Sequence, residues 1–126
     1  MFNQEWELLF SEEYDDFELP WWWIDHGETA QEWLIREIWE EMSCPVIVSS
    51  QPLCTWIRKR HNGIRYFFVW YACKIDITQF SPSDEVNAYH FFSKKYLLQN
   101  IEKFPKQHYV IEHYDELLAL YQNVTF

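Results

Sequence analysis

The sequence predicts a mixed α/β domain, a mixed sheet with helices packed on both of its faces, and three observations carry that reading. Residues 30–42 form an amphipathic stretch with a capping signal at its start, residues 46–77 are rich in β-branched and aromatic residues around an Asn-Gly pair, and a short strand followed by two helical stretches ends the chain. The order strand, helix, strands, helices gives every apolar helix stripe a sheet face to bury against, as in an α/β/α sandwich.

Residues 5–10 are short and partly alternating, and the acidic run Ser11 to Asp16 follows them, which predicts an edge strand ending in a turn. The aromatic segment 17–24 ends at Asp25-His26-Gly27, a polar break before the helix. Thr29 and Glu32 have the spacing of a capping box, so a helix is predicted over Ala30–Met42. Ala30, Leu34, Ile38 and Met42 recur every four residues, and Ile35 and Trp39 widen that stripe, while the opposite side is charged. Val46–Val48 and Leu53–Ile57 are β-prone, and Asn62-Gly63 predicts a two-residue type I′ hairpin turn. The return strand Ile64–Ile77 is apolar on both faces over Phe67–Ala72, the pattern of a central strand, which assigns the aromatic run Tyr66 to Tyr71 to the core rather than to a base-stacking platform. A strand at Val86–Phe92 and helices near Lys94–Glu102 and Gln107–Tyr121 complete the pattern.

At 126 residues and 48% hydrophobic content the chain predicts a single domain, residues 1–126, with a first strand that a wrong start site would clip. A net charge of -10 argues against gripping nucleic acid by phosphate neutralisation, and an acidic protein that handles phosphates needs a cation between them. Cys44, Cys54 and Cys73 are odd in number and form no CxxC pair, which predicts free thiols in a reducing cytoplasm. No apolar run approaches the ~20 residues that span a bilayer. The histidines His26, His61, His90, His108 and His113 make no ligand pair at helical spacing with a cysteine or another histidine, apart from His108 and His113 sharing a C-terminal segment, and are read as surface or core residues.

The chemistry concentrates on the predicted helix. Residues three and four apart share a face, so Glu37, Glu40 and Glu41 crowd three carboxylates together with Arg36 beside Glu40. Such crowding is a solvated acidic face unless something neutralises it, and hard divalent cations prefer oxygen ligands of this kind.

From Trp22 the chain reads W-x5-E-x7-R-E-I-x-E-E-x-S-C, which resembles the Nudix signature G-x5-E-x7-R-E-U-x-E-E-x-G-U, where U is a bulky aliphatic residue. Leu19-Pro20 before the motif and Gly27-Glu28-Thr29 within it also resemble the family, and the match falls on a predicted loop and helix, the context the motif demands. The resemblance implies Mg²⁺- or Mn²⁺-dependent hydrolysis of the pyrophosphate of a nucleoside diphosphate linked to another moiety, acting on a small nucleotide and leaving a homodimer open. It implies Glu37, Glu40 and Glu41 as metal ligands and catalytic groups, Arg36 as the residue that orients them, Glu28 with Gly27 in support, and Glu85 as a further ligand or base from a later loop. The departures from the signature are Trp21 and Trp22 where the family has Gly-Gly, and Ser43 at its second glycine. They point to the alternative, a catalytically impaired nucleotide-binding or regulatory module. The chain has two glycines and eight tryptophans, where ordinary usage of about 7% gives roughly nine glycines. Trp6, Trp21, Trp22 and Trp39 stand where the family carries or accepts glycine, and UGA codons read as glycine in the source organism account for both counts at once.

Overall fold

The computed structural model describes residues 1–20, 24, 26–59 and 62–126. Strand β1 (Leu8–Glu13) lies between β2 (Asp16–Glu18) and β7 (Ala88–Phe92), antiparallel to both. Its side chains alternate as a strand requires. Leu8 and Phe10 enter one core with Leu97, Phe104, Ile111 and Leu117, whereas Leu9 enters a second with Ile38, Met42, Ile75 and Val86. The first core belongs to the C-terminal helices α2 (Lys94–Gln99), α3 (His108–Glu112) and α4 (Tyr114–Gln122), the second to helix α1 (Ala30–Met42). Helices therefore cover both faces, and the α/β/α class predicted from the sequence holds.

Helix α1 has the predicted limits because its start is fixed locally. The Thr29 hydroxyl accepts from the Glu32 N–H at 3.2 Å while the Glu32 carboxylate accepts from the Thr29 N–H at 2.9 Å, a complete capping box. Its buried face is Trp33, Ile38, Glu41 and Met42; Ile35 and Trp39, expected to widen the apolar stripe, are exposed.

Three sheet expectations are corrected. Strand β1 is central rather than an edge, and it runs through the acidic cluster to Glu13 because both of its neighbours supply ladder partners there, Glu12 pairing with Phe17 and with Ala88. The tight turn sits at Tyr14-Asp15, where the register Glu13↔Asp16 leaves two residues, both at positive φ as a type I′ turn requires. Asn62-Gly63 instead lies within the longer connection 60–64 between β4 (Cys54–Lys59) and β5 (Arg65–Trp70), since Lys59 pairs with Arg65. Finally, Ile64–Ile77 is not one central strand. It breaks at Tyr71-Ala72, and its second part, β6 (Cys73–Ile75), leaves β4 to pair with β3 (Val46–Val48). Buried Ser49 makes the break cheap: its N–H donates to the Ala72 carbonyl at 2.8 Å and its hydroxyl accepts from the Ala72 N–H at 3.2 Å, so both backbone groups of Ala72 are satisfied. Because β5 pairs only with β4 among the described residues, its outer face, with Phe67 and Val69, is exposed. Every ladder among the described residues is antiparallel.

Trp6 has φ 60, the left-handed region that only glycine enters without steric cost, and its indole is exposed. The turn is held by backbone, with the Trp6 N–H donating to Asn3 and the Tyr114 hydroxyl donating to the Trp6 carbonyl. Trp21 and Trp22 lie outside the described residues. The substitution Trp6→Gly relieves the strain and keeps every one of these bonds. It is expected to raise unfolding free energy by up to about 1 kcal/mol, read by chemical denaturation, whereas Trp6→Ala, which keeps a Cβ, is expected not to.

Candidate functional site

Three elements deliver three carboxylates to one place. Glu41 lies one turn after Ile38 on the sheet-facing side of α1, so the packing of Ile38 and Met42 carries it inward, and the residue is only 6% exposed. Glu13 follows Leu9 and Ser11 on β1 at every second position, hence on the strand face that meets α1. Glu85 comes from the loop before β7, where fully buried Val86 anchors the chain and the Ser83 hydroxyl accepts from the N–H groups of both Glu85 and Val86. One carboxylate oxygen from each of Glu13, Glu41 and Glu85 lies within 4.8 Å of the others.

This is an electrostatically costly arrangement. One Glu41 oxygen is buried without a hydrogen-bond partner. Burial first, then the charges of Glu13, Glu37, Glu85 and Glu40, push the Glu41 carboxyl up to about 8. Burial and the nearby carboxylates Glu18 and Glu85 also raise Glu13 above its ordinary value. Carboxylate oxygens converging on a common point, one of them unpartnered, make on ionisation a donor set that a hard divalent cation such as Mg²⁺ or Mn²⁺ fits.

Arg36 organises the outer part of the helix face. Its Nε and Nη2 donate to the two oxygens of Glu28 at 2.8 and 3.0 Å, and its Nη1 donates to Glu37 at 2.7 Å and to Glu40 at 3.1 Å. The Arg36 hydrogen bonds hold Glu28 below the usual carboxylate range. Gly27, at φ 87, precedes Glu28 in the left-handed region and sets the loop's entry to the helix. Of the residues singled out in the sequence, then, Glu41 and Glu85 are brought together, Glu37 and Glu40 lie beside them on Arg36, and Glu28 is tied to the same guanidinium. Glu13 was missed. Its signal was the alternation Leu9, Ser11, Glu13, which points it to the same side as a buried leucine once β1 is known to be central. Ser43, at the second signature glycine, has φ 57 and its N–H donates to the Trp39 carbonyl at 2.9 Å, so this helix end does adopt the left-handed cap that glycine favours.

Compared by sequence, the chain matches no protein-family model and no curated protein. By structure it is similar to an ADP-ribose pyrophosphatase from Streptococcus suis, at 24% identity and TM-score 0.56 over 82% of this chain and 81% of that one. It is also similar to an Ap4A hydrolase from C. elegans, solved as a binary complex, at 14% identity and TM-score 0.56 over 90% and 87% of the two chains. At these identities the likeness is one of fold, and it fits the Nudix-like architecture expected from the sequence. No helix among the described residues is long and apolar enough to cross a membrane.

The raised Glu41 carboxyl has a consequence for stability. Its folded pKa of about 8 lies above the ordinary 4.5, so between those values the folded chain binds more protons than the unfolded one, and stability is lost as pH rises through the window. In the presence of a chelator the melting temperature is expected to fall between about pH 5 and about pH 8, with Glu13 acting in the same direction, and Glu41→Gln is expected to flatten that fall. A fall of the same size in the variant would place the titration elsewhere.

Proposed function

We propose that this chain hydrolyses the pyrophosphate of a nucleoside diphosphate linked to a further group, using Mg²⁺ or Mn²⁺ held at Glu41, Glu13 and Glu85 with Glu37 and Glu40 alongside. The observation that carries the reading is the convergence of three carboxylates from a helix, a strand and a loop, with one buried Glu41 oxygen unpartnered. A solvated acidic face needs no such burial. The likeness in fold to an ADP-ribose pyrophosphatase and an Ap4A hydrolase supports the same class of substrate.

When bound, the cation neutralises pyrophosphate oxygens and makes a water molecule acidic enough to attack phosphorus at neutral pH. The protein's own groups do the rest. Glu41 is fixed by the packing of its helix. Arg36 is a positioning residue: it spends its donors on Glu28, Glu37 and Glu40, and so fixes the carboxylates that flank the cluster. Glu85 is exposed at the cluster's edge, so the oxygen of its carboxylate that would not face the cation has room to accept the proton released by the attacking water.

The test is incubation with Mg²⁺ and either ADP-ribose or a dinucleoside polyphosphate, followed by separation of the nucleotide products. Release is expected from the unaltered chain. Arg36→Ala is expected to lower it about 10–100-fold by disordering the flanking carboxylates, and Glu41→Gln at least as much. Tight nucleotide binding with no release from any substrate offered would overturn the reading in favour of a binding or regulatory module.

A further inference from the structure

The hydrolase reading leaves the nucleoside half of the substrate without a seat, and one cavity has the size and chemistry to be that seat. A space of about 450 Å³ lies between the β4–β5 hairpin and the start of α3, lined by the rings of Trp56, Phe68, Trp70 and Tyr109 and by Glu18 and Gln107. Its volume is in the range of small-molecule sites, and its mixture of flat apolar walls with a few polar groups is what such sites share. Trp56 stacks with Trp70 at 4.6 Å and with Tyr109 at 4.1 Å between ring centroids, so the wall is a continuous aromatic surface. Phe68 and Trp70 belong to the run Tyr66 to Tyr71 that the sequence assigned to the core.

The polar groups are more specific than the walls. Glu18 and Gln107 are each 6% exposed. The Gln107 amide nitrogen donates to one Glu18 oxygen at 2.9 Å and the Lys106 ammonium donates to the other at 2.8 Å. That pairing turns one N–H of the Gln107 amide to Glu18 and leaves its carbonyl oxygen buried with no hydrogen-bond partner. A carboxylate only accepts, and the spare atom of the carboxamide also accepts. The carboxamide keeps a second N–H, but the unpartnered atom of the pair is an acceptor, and a ligand edge that supplies a donor there satisfies it. Among the common bases, guanine presents two adjacent donors, its ring imino N–H and its exocyclic amino group. Adenine and cytosine each set an amino group beside an acceptor nitrogen, which would face acceptors here, and an acceptor left facing acceptors discriminates strongly.

The cavity and the carboxylate cluster draw on the same β1–β2 hairpin, Glu18 for the one and Glu13 for the other. Ser11 pairs with Glu18 and Glu13 with Asp16 across one hairpin, and Glu18 and Lys106 are among the charges that act on the Glu13 carboxyl.

We propose that this cavity seats the nucleobase and selects guanine through Gln107 and Glu18. The proposal rests on the hydrolase reading for the pyrophosphate end of the ligand and not for the base contact. Calorimetric titration with the 5′-monophosphates of guanosine, adenosine, cytidine and uridine, with a chelator present, tests it without asking for turnover. Guanosine monophosphate is expected to bind at least about tenfold more tightly than the others, a difference of about 1.4 kcal/mol. Gln107→Leu is expected to erase that preference, and Tyr109→Ala, at a ring already 37% exposed, to weaken all four alike. Equal affinities, no binding, or a guanine preference that survives Gln107→Leu in a folded protein would overturn the proposal. If Gln107→Leu does not fold, the ranking of the four nucleotides on the unaltered chain and the uniform loss in Tyr109→Ala decide. Guanine-selective binding without hydrolysis of any pyrophosphate would overturn the hydrolase reading alone, whereas hydrolysis without base preference would overturn only this proposal.

Discussion

Three carboxylates held within a few ångströms of one another, one of them buried, repel, and that repulsion is the constraint around which the rest of the site is built. The chain on its own answers it by raising the Glu41 carboxyl to about 8. What holds Glu41 there is apolar packing: Ile38 and Met42 meet Leu9 and Val86 in one core, and the helix cannot turn its acid outward without exposing both. Ion pairs that keep contact with solvent contribute modestly to stability, so the partly buried bonds from Arg36 to Glu28 and Glu37 and the exposed one to Glu40 matter here for orientation.

Strand β1 links that constraint to the second half of the molecule. One of its faces packs on α1 and the other on the C-terminal helices, and its hairpin to β2 carries Glu13 at the cluster and Glu18 at the aromatic cavity. The one hairpin thus contributes a residue to the aromatic cavity and a residue to the candidate cation site.

The parts of this that were legible in the sequence are local. Thr29 and Glu32 fix the start of α1 by bonds three residues apart, and the carboxylates of the helix follow from its period. Glu13 was not legible, because its partner Glu41 is distant in sequence and its direction depends on β1 being central. The strand break at Tyr71-Ala72 was hidden because Ser49, far away in the chain, supplies the missing hydrogen bonds. Turn chemistry misled for a different reason. Apart from Gly27 and Gly63, the left-handed positions among the described residues fall to Trp6, Tyr14, Asp15 and Ser43, so rules that look for glycine pass over real turns. At Trp6 and Ser43 the backbone takes the conformation of the glycines expected there. The mass of the protein made by its source organism distinguishes tryptophan from glycine at position 6 directly.

The claim on which the rest depends is that Glu13, Glu41 and Glu85 together form a cation site, and Mn²⁺ reports on it most directly. Electron paramagnetic resonance of Mn²⁺ titrated into the protein at neutral pH should show a stoichiometric bound ion that Mg²⁺ displaces, abolished by Glu41→Gln and weakened by both Glu13→Gln and Glu85→Gln. Binding that persists unchanged in folded Glu41→Gln and Glu13→Gln variants would contradict the account and return these carboxylates to the status of an acidic surface.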